Sequence, residues 1–170
     1  MVKRQVKNIV VIGMPGCGKT TIGKMISVKL NKEFVDLDDY IVDKVGCTIP
    51  EIFQRGEEHF RSIESEAVKE VSARESVVIS TGGGVIKKQI NIVNLKKNGI
   101  VFFIDRPLEN IVSDVDISTR PLLKNGTGEI EKLFKERYAI YNNSCDFSVD
   151  NIYTIEKVVD DIVEIYKNCI

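Results

Sequence analysis

The sequence predicts an α/β fold built on one parallel sheet with helices on both faces. Three observations predict it. Short continuous apolar runs, the pattern of strands buried on both sides, recur along the 170 residues. Longer stretches with apolar residues at helical spacing separate them, so consecutive strands need crossover connections. The first run also leads straight into a glycine-rich turn and then a helix, the opening of many open α/β sheets.

The elements follow in order. Asn8-Ile-Val-Val-Ile12 is the first strand, and Thr21 to Leu30 is a helix with Ile22, Met25, Ile26 and Leu30 on one side. Glu33-Phe-Val-Asp36 is a short second strand. Tyr40 to Val45 and Ile49 to Phe53 read as short helices, followed by a longer one from about Glu57 to Ala73. Val77-Val-Ile-Ser80 is a third strand and ends in Thr81-Gly82-Gly83-Gly84. A helix over Ile92 to Lys97 precedes the fourth strand, Ile100-Val-Phe-Phe-Ile104. Leu108 to Ser113 starts a helix that gives way to a polar stretch, Asp114 to Gly128, whose length and polarity suit a mobile lid. Glu129 to Asn142 is helical, Phe147-Ser-Val149 is the last strand, and Thr154 to Lys167 is the closing helix.

The length suits a single domain over residues 1–170, long enough for a sizeable core. A formal charge of −1 gives no general polyanion-binding surface, so no nucleic-acid partner is expected. No stretch approaches the roughly 20 apolar residues of a membrane span. The basic N-terminus runs into the first strand without the core or cleavage site of a signal peptide. Cys17, Cys47, Cys145 and Cys169 are scattered without a C-x-x-C pair, which favours reduced thiols in a cytoplasm.

Gly13-Met-Pro-Gly-Cys-Gly-Lys-Thr20 has the spacing of a Walker A loop, placed between strand and helix as such a loop must be. Gly13, Gly16 and Gly18 let backbone N–H groups turn inward around a phosphate, and the helix N-terminus adds unpaired donors. Lys19 is expected to reach the β and γ phosphates, and the Thr20 hydroxyl to hold Mg²⁺. Cys17, in the same loop, reads as a small filler, and Thr21 completes the nucleotide-binding set. No guanine-reading Asn-Lys-x-Asp follows, and the chain is too small for motor or transport machinery. A small phosphotransferase is the natural class.

In such sheets, ligands collect at the carboxyl ends of the strands. Asp36 and Asp38 lie two apart at the end of a strand, so both carboxylates are expected on one face, toward the crevice. One can orient a water on Mg²⁺ and the other can accept the proton of an attacking hydroxyl. Acidic capping of the next helix suits Asp39 better than Asp36. Arg61 and Glu64 stand three apart on a helix, where a surface pair worth a few tenths of a kcal/mol is the default. Gly82-Gly83-Gly84 exceeds the need of a turn and lets backbone approach a ligand closely. Arg120, in the lid stretch, can swing onto a γ-phosphate. Arg137 stands on a late helix.

Together these motifs resemble shikimate kinases over nearly the whole chain. The resemblance runs through the Walker A loop, Asp36-x-Asp38, Phe60-Arg61-x-Ile63-Glu64, Gly82-Gly83-Gly84, Thr119-Arg120-Pro121-Leu122-Leu123, and Arg137 followed by Tyr141. It implies a P-loop kinase fold of the nucleoside-monophosphate-kinase type, three layers with strand order 2-3-1-4-5. It places a substrate-binding segment at about 36–64 and a lid at about 112–125. The implied reaction is phosphorylation of the 3-hydroxyl of shikimate by ATP with Mg²⁺, a step of chorismate and aromatic amino acid biosynthesis; apart from the resemblance, a monomer is expected.

Carried over by position, the resemblance implies that Asp38 binds the shikimate hydroxyls and acts as base. Asp36 supports Mg²⁺ through water, and Arg61 and Arg137 clamp the carboxylate. The Gly82–Gly84 backbone faces substrate, Glu64 holds Arg61, and Arg120 stabilises the transferred phosphate. Phe53 and Phe60 serve as pocket walls or as plain core. The place of an adenine-stacking arginine falls near Ser113, and the lid is more acidic and less glycine-rich than the family pattern. Two alternatives remain open: another small-molecule kinase of this fold, such as a gluconate or nucleotide kinase, and a nucleotide-binding regulatory protein without turnover. The arginine pair with the glycine triplet speaks against the first. Retention of Lys19, Thr20, Asp36, Asp38 and Arg120 speaks against the second.

Overall fold

A computed structural model describes residues 7–114 and 127–170. Five strands, β1 (Asn8–Ile12), β2 (Glu33–Asp36), β3 (Val77–Ser80), β4 (Gly99–Asp105) and β5 (Phe147–Asp150), form one sheet in the order β2-β3-β1-β4-β5. Every adjacent pair is parallel. The helices are α1 (Lys19–Leu30), α2 (Leu37–Val45), α3 (Ile49–Phe53), α4 (Glu57–Ser72), α5 (Gln89–Asn98), α6 (Leu108–Asp114), α7 (Thr127–Ser144) and α8 (Ile155–Cys169).

Burial follows the sequence pattern. All of β1 and β3 is buried, as is β4 up to Ile104, so the central strands are covered on both faces. Asn8, a polar residue at 0% exposure, is tolerated because its side chain bonds the Arg74 carbonyl at 2.8 Å and the Val77 N–H at 3.1 Å. The closing helix buries Val158, Val159, Ile162, Val163 and Tyr166, the stripe that a 3.6-residue period places on one side. On α4, the same period buries Phe60, Ala67, Val68 and Val71, and it carries Arg61 and Glu64 inward with them. That inward turn of two charged residues sets up the site.

Several boundaries differ from expectation. α2 begins at Leu37, three residues before Tyr40, because Asp36 is its N-cap and accepts the N–H groups of Asp38 and Asp39. Asp36 and Asp38 therefore do not share a strand face. Asp36 caps the helix, and Asp38 sits in its first turn. A 3₁₀ turn over Val85–Lys87 follows the glycine triplet, and α5 begins earlier, at Gln89. α7 begins at Thr127, inside the polar stretch. Of the lid at 112–125, residues 112–114 complete α6, while 115–126, with Arg120, lie outside the described residues. No helix among the described residues is long and apolar enough to cross a membrane.

Candidate active site

A cavity of about 640 Å³ opens at the carboxyl edge of the sheet, between the loops after β1, β3 and β4, the start of α2, and one side of α4 and α7. Its floor is the loop between β1 and α1. Gly16 and Gly18 adopt φ of 83° and 99°, left-handed values that a side chain would strain. α1 starts at Lys19 with Gly18 as a cap that offers no side-chain acceptor, so its first N–H groups are free for an anion. The Lys19 ammonium is buried under the loop and donates to the carbonyls of Gly13 at 2.8 Å and Met14 at 2.9 Å. Cys17 packs against it, Sγ 3.8 Å from Nζ, and is itself buried. Thr20 and Thr21 are exposed at the cavity rim.

The Thr20 hydroxyl donates to Asp36 Oδ2 at 2.9 Å, and Asp36 Oδ1 accepts the Asp38 N–H at 3.0 Å. One carboxylate thus ties the phosphate loop to the helix that carries the next. Asp38 is partly buried. Burial pushes its carboxyl above the ordinary value of 3.8, the neighbouring Asp36 pushes it further, and Lys19 and Arg61 pull against them. A Cβ on Gly82 would lie 3.1 Å from Asp38 Oδ1 and 3.5 Å from Glu64 Oε1. Two carboxyl groups from different helices therefore converge on one backbone segment.

Arg61 is 6% exposed and Glu64 1%, so the pair is a core feature, not the surface pair that its spacing suggests. Arg61 Nη1 donates to Glu64 Oε2 at 2.8 Å, and its Nε and Nη2 each reach Glu57 at 3.3 Å. The guanidinium also lies over the Phe60 and Phe53 rings, which stack on each other at 4.4 Å. Both rings line the cavity, and Phe60 is core as well. Burial raises the Glu64 carboxyl, against the pull of Arg61. Its Oε1 has no partner among the described residues.

The glycine triplet makes this arrangement possible. A Cβ on Gly84 would fall within 2.6 Å of the Arg61 Cζ, and one on Gly83 within 2.8 Å of the Pro15 ring. A side chain at either position would force its neighbour, the guanidinium or the ring, to move. The Tyr141 hydroxyl donates to the Gly83 carbonyl at 2.6 Å, and burial pushes that phenol up to about 12. Arg137, one turn before Tyr141 on α7, is half-buried and lines the same cavity.

The structure thus brings Gly16, Gly18, Lys19, Thr20, Thr21, Asp36, Asp38, Arg61, Gly82, Gly83, Gly84 and Arg137 to one cavity, with Gly13 and Cys17 beneath its floor. Three contributors escaped the sequence. Glu57 is a second carboxylate on Arg61. Arg106, just past β4, lines the cavity and donates to the Gly16 carbonyl at 2.9 Å. Asn151, just past β5, donates to the Cys17 carbonyl at 2.9 Å. For Arg106 and Asn151, only their places after strand ends could have marked them. Ser113 turns back on its own helix, its hydroxyl on the Asn110 carbonyl at 3.0 Å.

Known proteins share this architecture. A family model described as Shikimate kinase matches residues 15–167. A shikimate kinase of Clostridium botulinum (strain Alaska E43 / Type E3) is 55% identical over 160 residues, covering 94% of this chain and 97% of that protein. Shikimate kinase from Acinetobacter baumannii, solved in complex with shikimate, superposes with a TM-score of 0.89 at 32% identity, over 96% of this chain and 94% of that one. Shikimate kinase from Aquifex aeolicus vf5 does so with a TM-score of 0.82 at 38% identity, over 95% and 96%. With a family match over nearly its whole length, the chain belongs to the shikimate kinase family.

Proposed function

We propose that the chain transfers the γ-phosphoryl group of ATP to the 3-hydroxyl of shikimate, giving shikimate 3-phosphate and ADP. One observation carries the choice of acceptor: a buried, pre-oriented guanidinium, Arg61, faces the cavity beside Gly84, with Arg137 lining the same cavity. That arrangement fits a small carboxylic acid, since a planar guanidinium binds a carboxylate through two parallel hydrogen bonds. Shikimate is such an acid, and the Acinetobacter relative was solved with it.

The roles divide by position. The loop N–H groups and Lys19 hold the ATP phosphates. Arg61 and Arg137 hold the acceptor carboxylate and so aim its ring at the phosphate. Asp38, between the two ends, accepts the proton as the acceptor oxygen bonds to the γ-phosphorus and the bond to the bridging oxygen of ADP breaks. The Gly82–Gly84 backbone closes the acceptor side, and Arg120 of the lid stabilises the phosphoryl group in flight. Mg²⁺ suits the all-oxygen pair of the Thr20 hydroxyl and Asp36 carboxylate, the latter through water, and supplies positive charge to the phosphate oxygens when bound. The chain works as a single-domain monomer in the cytoplasm, with 36–64 as its acceptor segment and 112–125 as its lid.

The testing experiment measures ADP release with ATP and Mg²⁺ against shikimate, gluconate, a nucleoside-monophosphate mixture and no acceptor. Shikimate alone should stimulate release, and Lys19→Ala should abolish it. Stimulation by another acceptor would replace the assignment. Gly84→Ala offers a finer check. The new methyl group must displace the Arg61 guanidinium, so KM for shikimate should rise at least fivefold while KM for ATP stays within twofold. An unchanged shikimate KM would separate Arg61 from acceptor binding.

A further inference from the structure

Among the described residues lining the cavity, Arg106 is the one cation left without a part in that function. Its position explains it. β4 and β5 run in register with Asp105 opposite Asp150. The next residues, Arg106 and Asn151, therefore leave the sheet edge side by side. They take consecutive carbonyls of the phosphate loop: Arg106 Nη1 donates to Gly16 at 2.9 Å, and Asn151 Nδ2 donates to Cys17 at 2.9 Å. The Asn151 N–H fixes its own strand end by donating to the Asp105 carbonyl at 2.8 Å. Lys19 holds the two earlier carbonyls, Gly13 and Met14.

A loop that grips an anion with N–H groups must turn its carbonyls elsewhere, because their lone pairs repel phosphate. A stretch with glycines at 16 and 18 has many other conformations available. Fixing those carbonyls beforehand removes reorganisation from the binding step. Both donors are sheltered, Asn151 at 8% exposure and the Arg106 side chain at 20%. The other arm of Arg106 pairs with Asp114 at the end of α6, whose side chain is 59% exposed, and such pairs contribute little.

We propose that Arg106 and Asn151 are positioning residues for the nucleotide, an outer bracket that holds the Gly16 and Cys17 carbonyls away from the phosphate cradle so that ATP meets a loop already shaped. The proposal rests on the ATP-binding function above. The test measures ATP affinity by displacement of a fluorescent ATP analogue, together with KM for shikimate and Tm, in the unaltered chain and in Arg106→Met, Arg106→Lys, Asn151→Ala and Asp114→Asn. Arg106→Met and Asn151→Ala should each weaken ATP about tenfold, the scale of losing one hydrogen bond whose acceptor is then left sheltered from water. KM for shikimate should stay within twofold. Arg106→Lys should recover part of the loss, since an ammonium can still reach Gly16, and Asp114→Asn should stay within twofold.

ATP affinity within twofold of the unaltered chain in Arg106→Met overturns the bracket. So does an Asp114→Asn variant that reproduces the loss, because Arg106 would then act through α6. Parallel losses for ATP and shikimate with a lowered Tm would reduce it to a stability effect. Arg106 is near the rim, so it decides the matter even where Asn151→Ala lowers stability. An unaltered chain without shikimate-dependent turnover would count against the proposed reaction instead.

Discussion

Asp38→Asn should lower kcat by about 10²–10⁴-fold, the range that general-base catalysis contributes, while ATP affinity stays within twofold. The amide keeps the shape and removes the proton acceptor. Asparagine also removes an unfavourable charge. The Asp38 carboxyl is raised by burial and by Asp36, so its ionised form costs the folded state free energy. That cost is absent below the unfolded pKa and complete above the folded one. The variant should therefore have a higher Tm than the parent at pH 7, with the gain vanishing as pH falls toward the ordinary aspartate range. The parent's kcat/KM should have an acid limb above the usual aspartate range, and the variant should lack it. Turnover within threefold of the parent would remove Asp38 from the base role. An unchanged Tm at pH 7 would mean that the site compensates the charge better than its burial implies.

The site is arranged by charge. Cations stand at both ends, Lys19 under the phosphate loop and Arg61 with Arg137 along the acceptor side, and carboxylates converge on Gly82. Two anionic ligands can then occupy one crevice without meeting a net negative wall. Desolvation raises the carboxyls of both Asp38 and Glu64, and the nearby cations pull against it.

How much of this was legible depended on whether a residue's role was local. The strands were legible because burial on both faces demands uninterrupted apolar runs, and β1, β3 and β4 have them. The phosphate loop was legible because its spacing is itself the chemistry. Asp36 was misplaced because Asp36-Leu-Asp-Asp39 offers three possible caps, and the strand pairing that ends β2 at Asp36 against Ser80 settles which one is used. The Arg61–Glu64 spacing was visible, but its burial was not. Burial depends on Gly84, some twenty residues away, where a missing Cβ makes room for the Arg61 guanidinium. Arg106 and Asn151 were invisible for the same reason in a stronger form. They touch a loop 90 and 134 residues distant, and only the sheet order brings them there.

Arg61→Met tests the acceptor end and the core at once, and the two effects can be separated. Losing a guanidinium positioned for a carboxylate should raise KM for shikimate about 100-fold, since charge-assisted bidentate bonds are roughly twice as strong as neutral ones, with KM for ATP within threefold. The same change strips Glu64 of the cation that offsets its burial. Breaking a buried pair from one side costs about 3–5 kcal/mol, or roughly 10 °C in Tm for a domain of this size. The sign with pH follows from Glu64, whose folded pKa is already raised and must rise further without Arg61. A protonated Glu64 bears burial well, so the Tm penalty should be smaller at pH 5 than at pH 8. Adding Glu64→Gln to Arg61→Met should return most of the lost stability at pH 8 and none of the lost shikimate affinity. If the double variant also recovered shikimate binding, Arg61 would be a structural counter-ion for Glu64 and the acceptor carboxylate would have to be held elsewhere. If ATP and shikimate binding fell together in the single variant, the site would be collapsing as a unit.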